Sequence, residues 1–216
     1  MCIIAIYNNG QKPDFATVQQ MINRNPDGVG IAFNNGELSA FKKGFKTAAA
    51  AFAFIQSIKT PRDIVFHARI ATHGGICAER CHPFPLSNKT AALNKKSGVT
   101  TTPLLFHNGV FSSLNTDKAT SDSQAFVRDC LFPLYTADPD GLKAGRYDDL
   151  INLAVSGSRV VILYPDEVKR YGRGWIADKG ATFSNSSYKP YTPPVYDWDK
   201  WGKGYSHYGA YGWGGK

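Results

Sequence analysis

Cysteine is scarce in this chain, occurring only at positions 2, 77, 81 and 130, with irregular spacing. That excludes the disulfide framework of a small secreted scaffold and suits a reducing cytosol. Under that reading the Asn-x-Ser/Thr matches at Asn88 and Asn185 carry no glycan. Long apolar runs are also missing. None approaches the ~18 residues needed to cross a bilayer, so no membrane partner is expected. The start has no basic stretch, and its apolar run is too short for a secretory signal; a cytoplasmic location is expected.

Acidic residues are in the minority, 17 against 25 Lys and Arg, which leaves a net charge of +8 and a pI near 9.3. Excess positive charge attracts polyanions and keeps nucleic acid in view as a partner. The basic residues are scattered, however, and the densest groups are only Lys42-Lys43 and Lys95-Lys96, which reads as a solvated surface. No Gly-x-x-x-x-Gly-Lys phosphate loop occurs. Cys77, Cys81 and His82 lack a second ligand pair at zinc spacing. No cofactor and no metal are expected.

What is present is a core-forming composition: 216 residues, 43% hydrophobic and 19% charged, within the range of one domain. Residues 2–8 read as a buried strand, and Asp14 as the cap of a helix through Phe15, Val18, Met21 and Ile22. A hairpin is expected around Asn34-Asn35-Gly36, then a helix from Thr47 to about Lys59 and a strand from Asp63 to Arg69. Residues 71–86 read as an ordered loop and 88–102 as a polar, exposed hairpin or excursion. Leu104 to Phe106 is a strand running into His107-Asn108-Gly109. Helices are expected from Ser121 or Asp122 to Leu131 and from Tyr147 to Val155. Strands are expected at 159–164, 168–171 and 175–183. This is not the regular βα alternation of a parallel sheet. From Pro190 onward the chain is rich in Tyr, Trp and Gly, with Ala210 the sole aliphatic residue of 196–216. It reads as a flexible tail, or as an arm whose rings stack on a partner. The expected division is residues 1–189 and a tail of 190–216.

Cys2 precedes the first apolar run. Removal of Met1 places a thiol and a free α-amine on one Cα, and the amine, with a reference pKa of ~7.7–8.0, can serve as base. Packing of a small hydrophobe is the alternative. Four other segments bear on the choice. In His67-Ala68-Arg69-Ile70-Ala71-Thr72-His73-Gly74, an arginine at a strand end suits a carboxylate. In His107-Asn108-Gly109, a carboxamide and a glycine N–H can form an oxyanion hole. Ser121-Asp122 puts a carboxylate at a helix start, where capping is the ordinary explanation. Arg24-Asn25-Pro26-Asp27-Gly28-Val29-Gly30 has the composition of a turn.

The order Met-Cys, Arg-x-x-Asp-x-x-Gly, His-x-Arg-x-Ala-Thr-His-Gly, His-Asn-Gly and Ser-Asp resembles the glutaminase domain of class II glutamine amidotransferases, in a standalone form. His82-Pro83-Phe84 resembles the end of a further family stretch. The resemblance implies an α+β fold, the N-terminal-nucleophile (Ntn) hydrolase four-layer αββα sandwich with two antiparallel sheets. It implies hydrolysis of the glutamine side-chain amide to glutamate and ammonia. Cys2 would be the nucleophile, with Asn108 and the Gly109 N–H holding the oxyanion. Arg69, Thr72 and His73 would bind the substrate carboxylate, Asp122 its ammonium, and Arg24 would support the loop.

Ile3, Ile70 and Arg80 depart from the family pattern. With no synthase domain legible, the ammonia acceptor would be a separate subunit. Two alternatives stay open: a hydrolase of γ-glutamyl amides or peptides, and a non-catalytic protein of the same fold that docks on a larger enzyme or nucleic acid.

Overall fold

Strand β1 (Ile3–Tyr7) is buried at all five positions because it lies between two apolar layers. Ile3, Ala5 and Tyr7 face one layer, and Ile4 and Ile6 the other. A strand buried on both faces reads as a continuous apolar run rather than an alternating one. The computed structural model describes residues 1–71, 75–114 and 120–190; the expected tail lies, but for Pro190, outside them.

After β1, the Asp14 carboxylate caps α1 (Phe15–Arg24) by accepting from the Thr17 N–H at 2.6 Å. The hairpin is β2 (Val29–Asn34) with β3 (Ser39–Phe45). Thr47 caps α2 (Ala48–Ser57), which stops short of Lys59, and β4 (Ile64–Ala68) follows. Beyond a 3-10 turn at Ala78–Arg80 come β5 (Phe84–Pro85), α3 (Thr90–Leu93), β6 (Ser97–Thr100) and β7 (Leu104–Asn108). The polar excursion therefore contributes an edge strand, β6, paired with β3.

Residues 122–154 hold more helix than the sequence suggests. α4 (Asp122–Phe126) continues through a π-helical turn (Val127–Leu131) into α5 (Phe132–Ala137), α6 (Pro139–Ala144) and α7 (Asp148–Ala154). Pro133 and Pro139 look like breakers, yet Pro139 opens α6, where a missing N–H costs nothing, and Pro133 follows directly on the π-helical turn. Last come β8 (Arg159–Leu163), β9 (Val168–Tyr171), β10 (Ile176–Asp178) and β11 (Ala181–Phe183). The single strand expected at 175–183 is thus a hairpin, turning at Lys179 and Gly180, both with positive φ.

One sheet has the order β10-β11-β1-β4-β2-β3-β6 and the other β5-β7-β8-β9, with every pairing antiparallel. α1 and α2 pack on the outer face of the first sheet, against Ile3, Ala5, Val29, Ile31 and Phe66. Residues of α4 to α7 pack with Leu105, Val160 and Ile162 of the second sheet. Between the sheets lie Ile4, Ile6, Val65, Leu104, Phe106, Val161 and Leu163. The result is a helix–sheet–sheet–helix sandwich, the α+β Ntn-hydrolase architecture that the resemblance implies.

Candidate active site

The antiparallel register decides which chain ends meet. Ile3 pairs with Ala68 at the end of β4, so Arg69 and Ile70 emerge beside Cys2. The Ile70 N–H donates to Cys2 Sγ at 3.4 Å, and the Ile70 carbonyl lies 3.5 Å from the same sulfur. Burial pushes the Cys2 thiol pKa up; the Ile70 N–H, the N-terminal charge and Arg69 act in the opposite direction but do not cancel it. The resting sulfur is therefore a protonated thiol at neutral pH, and attack requires a base.

Arg69 is buried, and its Nη1 donates to the Gly75 carbonyl at 3.5 Å. Its backbone is fastened to the turn after α1: Arg69 N–H donates to Gly28 O at 2.9 Å, and Asp27 N–H donates to Arg69 O at 2.9 Å. The Asp27 carboxylate then accepts from the Ala71 N–H at 2.7 Å. Arg24 stands half-buried in the last turn of α1, three residues before Asp27. Asp27 and Gly28 of the Arg-x-x-Asp-x-x-Gly stretch thus fasten the Arg69 loop. Thr72 and His73 lie outside the described residues.

Asn108 is the last residue of β7 in the other sheet, buried to 1% exposure. The strand runs through it, so Asn108-Gly109 is more than a turn. Gly109 has φ +152°, and a Cβ there would collide with the Ser158 side chain, so no other residue fits. The Asn108 Nδ2 donates to Ser184 Oγ at 2.9 Å, and Ser184 Oγ also accepts from the Ile4 N–H at 2.8 Å. Ser184 thereby joins the oxyanion candidate to the strand that carries Cys2. The next residue continues the connection: Asn185 Nδ2 donates to the Cys2 carbonyl at 2.6 Å.

Asp122 is the first residue of α4, after the capping box formed by Ser121 and Gln124. The capping role therefore falls to Ser121, and the Asp122 carboxylate serves the loop after Gly109. It accepts from the Phe111 N–H at 3.0 Å and the Ser123 N–H at 2.8 Å. Ser123 Oγ lies 2.9 Å from His107 Nδ1, and the His107 ring stacks on Phe111 at 4.0 Å.

Three imidazoles, His67, His82 and His107, are buried near these strand ends. The His67 and His82 rings lie 4.3 Å apart, and His67 Nε2 is 3.0 Å from the His107 carbonyl. Burial lowers the pKa of His67 to about 3 and of His107 to about 4, and that of His82 well below its ordinary value. All three are neutral at pH 7.

Of the residues the sequence brings forward, Cys2, Arg24 and Arg69 lie along one set of strand and helix ends. Asn108, Gly109 and Asp122 lie along another, and Ser184 bridges the two. Ser184, Asn185 and the Asp27 carboxylate were not singled out for a role. Asn185 shows in the sequence only as a glycosylation-type match, and Ser184 carries no motif.

No family model and no curated protein matches the chain. Solved structures do. A glutamine phosphoribosylpyrophosphate amidotransferase from B. subtilis, complexed with ADP and GMP, matches with a TM-score of 0.51 and 16% identity. The match covers 85% of this chain and 41% of that one. A structure described as the allosteric regulatory enzyme of purine biosynthesis matches with a TM-score of 0.54, 16% identity and the same coverages. The chain thus spans less than half the length of these proteins. The likeness, at this identity, is one of fold: the Ntn-hydrolase fold.

Proposed function

We propose that the chain is a glutamine amidohydrolase that uses Cys2 as an N-terminal nucleophile after removal of Met1. The observation that carries the reading is the link through Ser184 between Asn108 and the strand that follows Cys2, whose thiol lies against Ile70. The fold is the one in which such a terminal residue reacts, and the neighbour's printed name includes glutamine amidotransfer.

In the proposed reaction the α-amine of Cys2 takes the thiol proton as sulfur attacks the carbonyl carbon (Cδ) of the substrate's side-chain amide. The negative charge developing on the amide oxygen is held by the Asn108 carboxamide and the Gly109 N–H. The amine returns the proton to the leaving nitrogen, and ammonia departs. Water, activated by the same amine, then hydrolyses the γ-glutamyl thioester to glutamate and restores the thiol. Arg69 binds the substrate carboxylate with Thr72 and His73, and Asp122 its ammonium. Arg24 and Asp27 hold the Arg69 loop. The raised thiol pKa accords with a nucleophile deprotonated only during attack.

Because Arg69 and Asp122 recognise an α-amino-acid end, γ-glutamyl amides and peptides are the second substrate class. The proposed unit is residues 1–189, with 190–216 a separate tail, and the proposed ammonia acceptor is a separate synthase subunit. Met1 is 72% exposed and so open to an aminopeptidase. Intact mass spectrometry and an ammonia assay together test the reading. A chain beginning at Cys2 that releases ammonia from glutamine supports it; a retained Met1 with no release indicates a binding protein on this fold.

A further inference from the structure

β1 and β11 pair in a register that places Ile4 opposite Ser184, one step beyond Ala5 and Phe183. The Ser184 N–H makes the expected ladder bond to the Ile4 carbonyl at 2.9 Å. The reciprocal bond is not made to the Ser184 carbonyl. The Ile4 N–H donates instead to Ser184 Oγ, at 2.8 Å. A side-chain hydroxyl thus stands where a strand carbonyl would, and the backbone is released to turn, which lets Asn185 reach the Cys2 carbonyl. Tyr188 fastens this turn by stacking on Phe183 at 3.7 Å and donating its hydroxyl to Asp178 at 2.6 Å.

Ser184 is fully buried, and its hydroxyl also meets the Asn108 carboxamide at 2.9 Å. A hydroxyl can accept two hydrogen bonds and donate one. With Asn108 Nδ2 donating to Ser184 Oγ, the buried Asn108 Oδ1 is left without a partner. A half-turn of the carboxamide lets Ser184 O–H donate to Oδ1 instead and frees both Nδ2 protons for an incoming oxyanion. Ser184 can support either orientation because it is both donor and acceptor. Alanine supports neither.

We infer that Ser184 is a positioning residue that sets the rotation of the Asn108 carboxamide, and that Asn185 holds the Cys2 carbonyl in step with it. Ser184 thereby ties the nucleophile's strand to the oxyanion strand of the opposite sheet, and Asn185 beside it holds the nucleophile's carbonyl. This inference rests on the proposed hydrolase reading, since an oxyanion must form for the orientation to matter in turnover.

The test compares full-length wild type, Ser184→Ala, Ser184→Thr, Asn108→Ala and the double variant Asn108→Ala/Ser184→Ala for kcat and KM with glutamine. Complete loss of an oxyanion donor costs ~10²–10³. Ser184→Ala is expected to lower kcat by roughly ten-fold or more with little change in KM, and Ser184→Thr to recover most of it. In the Asn108→Ala background, Ser184→Ala should add less than about two-fold, because a residue acting through Asn108 has nothing left to orient. A wild-type kcat in Ser184→Ala, or a full further loss on top of Asn108→Ala, overturns the inference.

Nuclear magnetic resonance of the ¹⁵N-labelled protein separates this from failure of the hydrolase reading. The Asn108 side-chain amide pair, identified by its loss in Asn108→Ala, should move or broaden in Ser184→Ala and hold in Ser184→Thr whether or not glutamine is turned over. An unmoved pair contradicts the inference. If Ser184→Ala does not fold, Ser184→Cys, a weaker donor and acceptor at the same place, is read by the same criteria.

Discussion

Ile70 holds the Cys2 thiol with both halves of its backbone, the N–H 3.4 Å from Sγ and the carbonyl 3.5 Å from it. The carbonyl is an acceptor for S–H, so this contact suits a thiol at rest, in line with the upward shift from burial. Alkylation of Cys2 by iodoacetamide, followed by mass spectrometry, should therefore be slow at pH 7. It should rise through a midpoint above the ordinary thiol value of ~8.5. A rate already at its plateau below pH 7 means a resting thiolate and removes the need for the amine as base.

Asn108 and Gly109 should separate by what they break. Asn108→Ala is expected to lower kcat for glutamine by ~10²–10³ with KM nearly unchanged, because the part of the substrate its amide serves is the developing oxyanion and not the ground state. Gly109→Ala should lower kcat by displacing the second oxyanion donor and in addition cost stability of about 1–3 kcal/mol, since a Cβ there meets Ser158. Steady-state kinetics beside thermal melting distinguishes the two.

Asp122 and Arg69 are assigned to the two charges of the substrate, and their variants should act on KM. Asp122→Asn keeps an acceptor for the Phe111 N–H while removing the charge. A charge-assisted hydrogen bond contributes ~1.5–3 kcal/mol, so KM should rise by roughly ten- to a hundred-fold for glutamine and for γ-glutamyl peptides alike. A variant whose KM is unmoved for both removes Asp122 from substrate recognition.

The buried imidazoles make stability depend on pH. His67, His107 and His82 resist protonation in the folded chain, whereas in the unfolded chain they titrate near ~6.5. Above that value both states are neutral and the full stability is present. As pH falls from 6.5 toward about 4 for His107 and about 3 for His67, the unfolded state gains protons that the folded state refuses, and stability is lost. Each imidazole contributes up to ~1.4 kcal/mol per pH unit in that window. Urea unfolding at pH 7, 6 and 5 should show the decline, and His82→Gln should make it shallower. A flat profile from pH 7 to pH 5 contradicts the assignment of neutral buried rings.

The central strands were legible because burial on both faces writes an unbroken apolar run, as in Ile3 to Tyr7 and Leu104 to Phe106. The caps at Asp14 and Thr47 were legible because a side-chain acceptor must sit just before a helix. β6 was open only as one arm of an exposed hairpin, and its pairing with β3 was hidden, because its alternating exposed positions carry no apolar signal. α5 and α6 were hidden by prolines, which serve equally at a first turn and in a loop. At the candidate site, Cys2, Arg69, Asn108 and Asp122 sit in short motifs that can be read singly. Ser184 and Asn185 cannot be found that way. Their roles come from a pairing with Ile4 and Cys2 across 180 and 183 positions of sequence, a relation that only the register of β1 and β11 creates.

Ammonia release from glutamine by the intact protein and by Cys2→Ala, with Met1 removal verified by intact mass, tests the proposed hydrolase most directly. The account predicts glutamate and ammonia in equal amounts from the wild type and none above background from Cys2→Ala. Release by Cys2→Ala at the wild-type rate, or none from a wild-type chain that begins at Cys2, would contradict it.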